Sequence, residues 1–341
     1  MQSHYDYLIY IGRFQPFHQG HLHMVRHALS QCNKLILLCG SADASRSTRN
    51  PWYVTERETM IRATLSHEEN ERLIFRPLYD DPYHDDAWTA QVEHTVAAVL
   101  TEEKQEQASI ALFGHVKDAS SFYLKFFPQW NFINVANIDG ISATPIRRRY
   151  FLLPPAAPYN EAQLPPAVLD YLQQFRHTDA YQTVAEEMHY VADYQKSWAN
   201  APYPPIFTTV DALIICNAHI LVVERGGQPG RGLLALPGGF LNPDEYLIDA
   251  SLRELQEETG LCLTAEQLHS VRVADKPDRS AIGRVITHLH IFLLSVAILP
   301  EVRGTDDAAK AFWLPIDQLR RGQFHDDHYY LISDALKRLE T

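Results

Sequence analysis

One stretch, Gly239 to Leu261, limits the fold more tightly than any other part of the chain, and it reads GFLNPDEYLIDASLRELQEETGL. Between Tyr246 and Glu258 the apolar residues recur at helical spacing, so we expect a helix that buries one face. Asn242 and Pro243 are typical of a helix start, where a short polar side chain caps free N–H groups. Gly260 then supplies a left-handed cap at the C-terminal end.

The polar face of this predicted helix carries three carboxylates, Glu254, Glu257 and Glu258. Side chains three and four residues apart are neighbours on a helix, and like charges at that spacing repel. Such a run is ordinarily a solvated acidic face. Carboxylate oxygens are also the ligands that Mg²⁺ takes in proteins, together with substrate phosphates. The three glutamates are therefore either a solvated face or a site for Mg²⁺, with Mn²⁺ as an alternative ion.

The spacing of the whole stretch decides between these two interpretations. It fits the pattern G-x5-E-x7-R-E-U-x-E-E-x-G-U, where U is aliphatic, at Gly239, Glu245, Arg253, Glu254, Leu255, Glu257, Glu258, Gly260 and Leu261. This pattern resembles the Nudix box, the motif of hydrolases that split a diphosphate linked to another group. The resemblance implies that Glu254, Glu257 and Glu258 bind metal and take part in catalysis. It also implies a further carboxylate from a downstream loop as general base, for which Asp306 and Asp307 are the candidates.

Length and composition indicate two ordinary globular domains. The chain has 341 residues and is 46% hydrophobic, which is enough for two separate cores. A net charge of −12 argues against binding to nucleic acid or to anionic membranes. The four cysteines show no metal-ligand spacing, so we expect buried free thiols. Because we find no basic-then-apolar leader and no membrane-spanning run, we expect a cytoplasmic protein.

The first domain begins with a βαβ unit. Residues 7–11 form an apolar run that predicts a strand, a glycine-containing loop follows, and residues 34–39 predict a second strand after a helix. This order implies a parallel sheet, which binds ligands beyond the carboxyl ends of its strands. In the loop, Gly12 leaves room for a ligand to approach the backbone. His18 and His21 stand at the start of the helix, where phosphate is favoured and imidazoles can donate hydrogen bonds.

Two motifs in this domain resemble those of the nucleotidylyltransferase superfamily. Residues 12–21 read GRFQPFHQGH and residues 141–147 read ISATPIR. Thr144 followed by Pro145 predicts an N-cap and first helical residue, which puts Arg147 in the first turn beside free N–H groups. The resemblance implies that His18, His21 and Arg147 act on nucleotide phosphates. It implies substrate contacts for Gly12, Arg13, Phe14, Ser142 and Thr144.

Three further segments resemble archaeal-type nicotinamide mononucleotide adenylyltransferases. The first, residues 40–61, implies that Arg49 contacts the mononucleotide phosphate. The second implies that Trp88 stacks on the nicotinamide ring, although a tryptophan there is also explained as a core aromatic. The third, residues 114–130, implies that Lys117 and Asp118 lie on the ATP side, although a Lys-Asp pair is common in exposed loops.

We place the domain boundaries by the breaks in these patterns. Residues 152–166 are rich in proline, which suits a stiff surface segment. The predicted domains are residues 1–178 and 201–341, joined by a helix over residues 179–200. The fold class we expect is α/β: a Rossmann-like nucleotidylyltransferase domain with a parallel sheet, followed by a Nudix α/β/α sandwich. Its predicted strands include residues 207–215, 218–224 and 288–298, with a closing helix from residue 331.

Residues 278–287, DRSAIGRVIT, resemble the R-D-P-x-G-R-V stretch of ADP-ribose pyrophosphatases and imply substrate contacts for Arg279 and Arg284. Together the two halves resemble bifunctional nicotinamide mononucleotide adenylyltransferase/Nudix ADP-ribose pyrophosphatases. The resemblance implies ATP, nicotinamide mononucleotide, NAD and ADP-ribose as the small-molecule partners. Three alternatives stay open: another acceptor for the first half, another nucleoside diphosphate derivative for the second, or a second half that only senses a metabolite. The oligomeric state also stays open, and a homo-oligomer is compatible with the sequence.

Overall fold

The computed structural model describes residues 4–115, 125–135, 140–154, 157–305 and 307–339. The chain divides into two compact units, residues 1–185 and 186–341. In the part of the chain that is described, every helix is too short or too polar to cross a bilayer.

The first unit is built on a five-stranded parallel sheet with the order β3-β2-β1-β4-β5. Its strands are β1 (Tyr5–Gly12), β2 (Cys32–Cys39), β3 (Leu73–Pro77), β4 (Ile110–Gly114) and β5 (Asn131–Asn134). Its helices are α1 (Gln19–Leu29), α2 (Val54–Ala63), α3 (His67–Glu71), α4 (Asp85–Glu102), α5 (Ala143–Leu152) and α6 (Pro166–Phe175). The predicted βαβ unit and parallel sheet are confirmed. The central strands carry continuous apolar runs because helices cover both faces of such a sheet.

The start of α5 differs from the prediction. Ser142, not Thr144, is the N-cap residue, and it makes no side-chain capping bond. The Thr144 hydroxyl instead accepts a hydrogen bond from the Arg147 guanidinium at 3.2 Å. Because the helix begins at Ala143, Thr144 already lies inside its first turn, and the predicted N-cap was two residues too late.

A long helix, α7 (Asp179–Ser197), contains the point at which the two units divide. The second unit has a mixed seven-stranded sheet whose main path is β10-β11-β6-β7-β12. Its strands are β6 (Ile206–Cys216), β7 (His219–Arg225), β8 (Leu234–Ala235), β9 (Gly238–Phe240), β10 (Leu268–Ala274), β11 (Arg284–Leu294) and β12 (Ala308–Pro315). Its helices are α8 (Leu247–Thr259) and α9 (His328–Leu339), with short 3₁₀ turns at residues 265–267, 316–318 and 321–323.

Strand β11 begins and ends four residues earlier than predicted, because it pairs in parallel with β6 from Arg284 to Leu294. Helix α8 packs against β6, β9, β11 and β12, and Leu255 lies in the core with Ala212 and Ile214 of β6. The predicted buried face of α8 is therefore confirmed.

The predicted start of α8 was wrong. The helix begins at Leu247 with Tyr246 as its N-cap residue, and Asn242 and Pro243 precede it in a turn. That turn closes on Glu245, which accepts from the Asn242 N–H at 2.8 Å and from Arg253. The C-terminal prediction holds, since Gly260 has a φ of 72°.

Three of the cysteines, Cys32, Cys39 and Cys216, are buried free thiols as expected, but Cys262 is exposed. It lies just after the Gly260 cap, where the chain leaves the helix. Burial raises the pKa of the Cys32 and Cys39 thiols to about 11.

Candidate functional sites

A pocket opens in the first unit beyond the carboxyl end of β1, where a parallel sheet binds its ligands. Its lining combines the two predicted motifs, and we call it the phosphate pocket. The lining residues are Tyr10, Arg13, Phe14, Gln15, His18, Gly20, His21, Met24, His115, Ile141, Ser142, Ala143, Thr144 and Arg147. Segments that are about 120 residues apart in the sequence thus meet at one place.

His18 and His21 are joined by two reciprocal hydrogen bonds at the start of α1. The His21 N–H donates to Nδ1 of His18 at 3.4 Å, and the His18 N–H donates to Nδ1 of His21 at 3.3 Å. The two rings stack with centroids 3.6 Å apart. Because both Nδ1 atoms accept, a neutral ring at either position carries its proton on Nε2. The pair can therefore present two Nε2–H donors to an anion.

Arg147 is buried beside this pair. Its guanidinium donates to the Gln15 carbonyl at 2.6 Å and to the Thr144 hydroxyl at 3.2 Å. Burial, and next the charges of Arg13 and Arg49, lower the pKa of Arg147 to about 9. Its Nε finds no hydrogen-bond partner among the residues that the structure describes. A phosphate would satisfy this donor and offset the repulsion among the guanidiniums.

Gly12 also has a packing role inside the loop. A Cβ at Gly12 would lie 2.7 Å from the ring of Phe14, which is fully buried. The glycine is thus required by packing inside the loop. Phe14 itself has a φ of 53°, an unfavourable value for a side chain of this size.

Trp88 lies on α4, outside the lining of the phosphate pocket, and is partly buried against the core of the first unit. Its ring centroid is 6.1 Å from that of Phe127. Both explanations of Trp88 remain compatible with this position. Arg49 is half-buried and acts electrostatically on Arg147. Lys117 and Asp118 lie outside the described residues.

Two residues that the sequence analysis missed hold the phosphate pocket together. The Gln15 side-chain amide exchanges two hydrogen bonds with the Trp52 backbone, at 2.9 and 3.1 Å. The Arg57 guanidinium is fully buried and donates to the carbonyls of Arg13 and Gly40 at 2.7 Å, and to that of Ser41 at 3.0 Å. It thereby ties the loop after β1 to the loop after β2. Polar residues within helical or loop segments give no periodic signal of such a role.

Substituting Arg57 with Met should destabilise the first unit, because three buried carbonyls lose their donor. We expect a cost of about 2–4 kcal/mol, which lowers the melting temperature of the unit by about 4–16 °C. Calorimetry measures this, and the transition of the first unit is identified by its response to ATP. The matched control is Arg62→Met on the same helix, which breaks only a half-exposed pair with Glu58 and should shift the transition by no more than about 2 °C. Equal shifts in the two variants would contradict the tethering role.

In the second unit, α8 brings Glu254 and Glu258 against β9. The Glu258 carboxylate accepts from the Gly238 N–H at 3.0 Å, and burial raises its pKa to about 8. Burial also raises the pKa of Glu254. A Cβ at Gly239 would lie 2.4 Å from the Glu254 carboxylate, so a side chain at this position would displace that carboxylate. The two carboxylates are thus held, partly desolvated, against a backbone without side chains.

Arg253 organises the remaining acidic groups of the box. Its guanidinium makes two bonds with Glu245, at 2.7 and 2.9 Å, and one each with Glu254 and Glu257 at 2.8 Å. The two bonds from Arg253 to Glu245, and next the bond from the Asn242 N–H, lower the pKa of Glu245 to about 2. Glu257 is the most exposed of the three predicted ligands.

The donor set fits a hard divalent cation. Two carboxylates lie four residues apart on one helix face, and burial disfavours their charged forms, a cost that a cation would offset. Within residues 186–305 and 307–339, no three His, Cys, Asp or Glu side chains are already grouped as a complete ligand set. Glu254 and Glu258 would therefore be completed by Glu257, by substrate phosphates or by water.

Of the two candidate bases and the two predicted arginines, the structure describes Asp307, Arg279 and Arg284. Asp306 lies outside the described residues, and Asp307 is exposed. The preceding loop is tied to the end of α8, since the Thr305 N–H donates to the Glu258 carbonyl at 3.3 Å. Arg279 is buried in a bidentate pair with Asp327, both bonds 2.9 Å long. Arg284 donates to the Asp275 carbonyl at the start of β11.

Asp211 is a further residue that the sequence analysis missed. It lies in the middle of β6, is buried, and accepts from the Thr287 hydroxyl at 2.5 Å. A Cβ at Gly238 would lie 2.8 Å from its Oδ1, and its charge contributes to the raised pKa of Glu258. A carboxylate within an apolar strand was the signal that could have revealed it.

Comparison with known proteins identifies a family for each of the two domains. The Cytidylyltransferase-like family profile matches residues 9–149, and the NUDIX domain profile matches residues 206–335. A nicotinamide/nicotinic acid mononucleotide adenylyltransferase of Acinetobacter baylyi is 35% identical over 184 residues, which are 54% of this chain and 93% of that protein. An ADP-ribose pyrophosphatase of Methanocaldococcus jannaschii is 36% identical over 128 residues, 38% of this chain and 72% of that protein.

One solved structure matches nearly the whole chain. It is a bifunctional NMN adenylyltransferase/ADP ribose pyrophosphatase from Francisella tularensis, solved with AMP and a manganese ion. The identity is 35%, the match covers 98% of this chain and 99% of that one, and the TM-score is 0.90. Fold and sites together define a protein with a nucleotidylyltransferase domain followed by a divalent-metal Nudix domain. The chain belongs to the family of bifunctional NMN adenylyltransferase/ADP-ribose pyrophosphatases.

Proposed function

We propose that this chain has two activities in NAD metabolism: synthesis of NAD from ATP and nicotinamide mononucleotide, and hydrolysis of ADP-ribose. The observation that carries the proposal is the match to the Francisella protein over 98% of the chain, with both motif sets present. We assign adenylyl transfer to residues 1–178, hydrolysis to residues 201–341, and a linking role to residues 179–200. We also propose a cytoplasmic location, because a reducing compartment keeps buried thiols such as these free.

In adenylyl transfer, a phosphate oxygen of nicotinamide mononucleotide forms a bond to the α-phosphorus of ATP. The bond from that phosphorus to the oxygen bridging to the β-phosphate breaks, and pyrophosphate leaves with the electron pair. His18, His21 and Arg147 stabilise the charge that develops on the phosphoryl oxygens. We assign the remaining substrate contacts by resemblance: the ATP side to Lys117 and Asp118, the mononucleotide to Arg49 and Trp88, and further contacts to the nucleotide substrates to Gly12, Arg13, Phe14, Ser142 and Thr144.

In hydrolysis, a water oxygen forms a bond to one phosphorus of the diphosphate while the bond to the bridging oxygen breaks, giving AMP and ribose 5-phosphate. We infer that Glu254, Glu257 and Glu258 hold Mg²⁺, with Mn²⁺ as an alternative. The ion supplies Lewis-acid stabilisation of the phosphoryl charge and lowers the pKa of bound water. Asp306 or Asp307 takes the proton from the water. Arg284 is the proposed contact on the diphosphate side, whereas Arg279, which is buried in its pair with Asp327, is proposed to act by holding that aspartate.

The substrate assignment is tested on the full chain with Mg²⁺ and a panel of nucleoside diphosphate derivatives. We expect ADP-ribose to give the highest kcat/KM, at least about tenfold above NADH, a dinucleoside polyphosphate or an oxidised nucleoside triphosphate. A better substrate elsewhere in the panel would contradict the choice of ADP-ribose and leave the reaction class intact. Binding of ADP-ribose without hydrolysis of any member would indicate a metabolite sensor.

A further inference from the structure

A turn outside the Nudix box leads into α9 and includes the first residue of that helix. We call it the HDDH turn, and it consists of His325, Asp326, Asp327 and His328. The side chains of His325, Asp327 and His328 are buried. The turn packs against the segment that enters the Nudix box, because the His325 N–H donates to the Leu234 carbonyl at 2.9 Å. Burying ionisable side chains is unfavourable, so we expect the four side chains of this mostly buried turn to make specific contacts that offset the cost.

The backbone segment Leu236–Gly238 connects His328 with Glu258. Its Nδ1 accepts from the Leu236 N–H at 3.1 Å. Two residues later the Gly238 N–H donates to the Glu258 carboxylate at 3.0 Å. Pro237 stands between them with a fixed φ, and its carbonyl accepts from Ala212 of β6 at 2.8 Å. The direction of the Gly238 N–H is thus fixed by His328 on one side and by β6 on the other.

The HDDH turn is itself held firmly. Arg279 binds Asp327 through two bonds of 2.9 Å, and both side chains are buried. The ring of His325 occupies the space that a Cβ at Gly230 would need, with Nδ1 at 2.2 Å. A buried bidentate pair and a glycine contact leave the turn little freedom, which makes it a rigid support for His328.

We propose that His328 is a positioning residue for diphosphate hydrolysis. It holds the segment Leu236–Gly238 so that the Gly238 amide keeps the Glu258 carboxylate in its metal-binding orientation. Arg279 and Asp327 serve the same end by holding the turn. The inference rests on the proposed role of Glu258 as a metal ligand. Partners that orient a metal ligand in this way affect both metal affinity and turnover.

The test uses the full chain and reads metal binding separately from activity. Mn²⁺ binding is measured by electron paramagnetic resonance, and kcat and KM are measured with ADP-ribose. His328→Leu, which removes the acceptor, should weaken Mn²⁺ binding and lower kcat by about 10–100-fold, with KM changed by less than about threefold. His328→Asn, whose Oδ1 can accept in place of Nδ1, should stay within about threefold of wild type in all three quantities.

Two further variants separate positioning from general damage to the core. His290→Leu is the matched control, because His290 is equally buried in the same unit but bonds to the His288 carbonyl. It should leave Mn²⁺ binding unchanged. In a Glu258→Gln background, His328→Leu should cause no further loss of Mn²⁺ binding, since the two residues act through one contact. If His328→Leu has a lowered melting temperature, the same measurements are made on His328→Phe, which keeps a ring at this position but removes the acceptor.

Wild-type Mn²⁺ affinity and kcat in a folded His328→Leu or His328→Phe protein would overturn the proposal. So would an equal loss in His290→Leu, or additive losses in the double variant. Unchanged Mn²⁺ binding in the single variant Glu258→Gln would show that Glu258 is not a metal ligand, and the proposal would then have no basis. If wild-type protein binds Mn²⁺ through Glu258 and hydrolyses no ADP-ribose, the proposed substrate is wrong and the Mn²⁺ measurements still decide the role of His328.

Discussion

Glu258→Gln is expected to lower diphosphate hydrolysis by at least about a hundredfold and to leave NAD synthesis within about twofold of wild type. The amide keeps the size of the side chain and its Oε1 can still accept from Gly238. Only the charge that a metal requires is lost. The measurement is both steady-state rates on one purified variant, with Glu266→Gln, an exposed carboxylate of the same unit, as the matched control. Loss of both activities in a folded variant would contradict two chemically separate sites.

The same variant gives a stability test with a defined sign. In the folded protein the pKa of Glu258 is raised from 4.5 to about 8. A raised carboxyl pKa means that the folded state favours the protonated form, so its contribution to stability is present below pH 4.5 and is lost as the pH rises towards 8. Without metal, Glu258→Gln should therefore melt no lower than wild type, and its advantage should grow over that range. Melting curves across pH check this, and an advantage that shrinks with rising pH would contradict the burial of the charge.

His21→Asn is expected to lower the turnover of NAD synthesis by about 10²–10³-fold, with KM for ATP changed by less than about threefold. The Asn Oδ1 can replace Nδ1 as acceptor for the His18 N–H, so the start of α1 stays intact. The variant lacks the Nε2–H donor, which acts mainly in the transition state.

His21→Ala serves as the comparison, because it removes the acceptor as well as the donor. It should be equally slow and should also melt earlier, by about 2–4 °C, for the loss of one partly buried bond. A near-normal turnover in His21→Asn would rule out the donor role. A turnover deficit confined to His21→Ala would show that the pair matters for the loop and not for the phosphates.

The sequence alone determined the features that follow from local geometry. Helical spacing put Glu254 and Glu258 on one face of α8 and its apolar residues on the other. The order strand, loop, helix, strand predicted the parallel pairing of β1 with β2. The motifs indicated both reaction classes through the families that they resemble.

Helix starts were less predictable. The Asn242-Pro243 and Thr144-Pro145 pairs are both typical start signals, yet α8 begins later, at Leu247, and α5 begins earlier, at Ala143. A polar side chain near a helix start can bond to a partner that packing brings near, as the Thr144 hydroxyl does with Arg147.

Only the tertiary structure decided which residues hold the sites in shape. Arg57 and Gln15 connect loops of the phosphate pocket. Arg279 holds the HDDH turn through Asp327, and His328 connects that turn to the segment that enters the Nudix box. Their partners lie up to 92 residues away in the chain. Periodicity and spacing report on neighbours along the chain, whereas burial of a polar group is settled by whichever distant groups can satisfy it. A guanidinium or imidazole therefore looks the same in the sequence whether it meets substrate, solvent or a buried carbonyl.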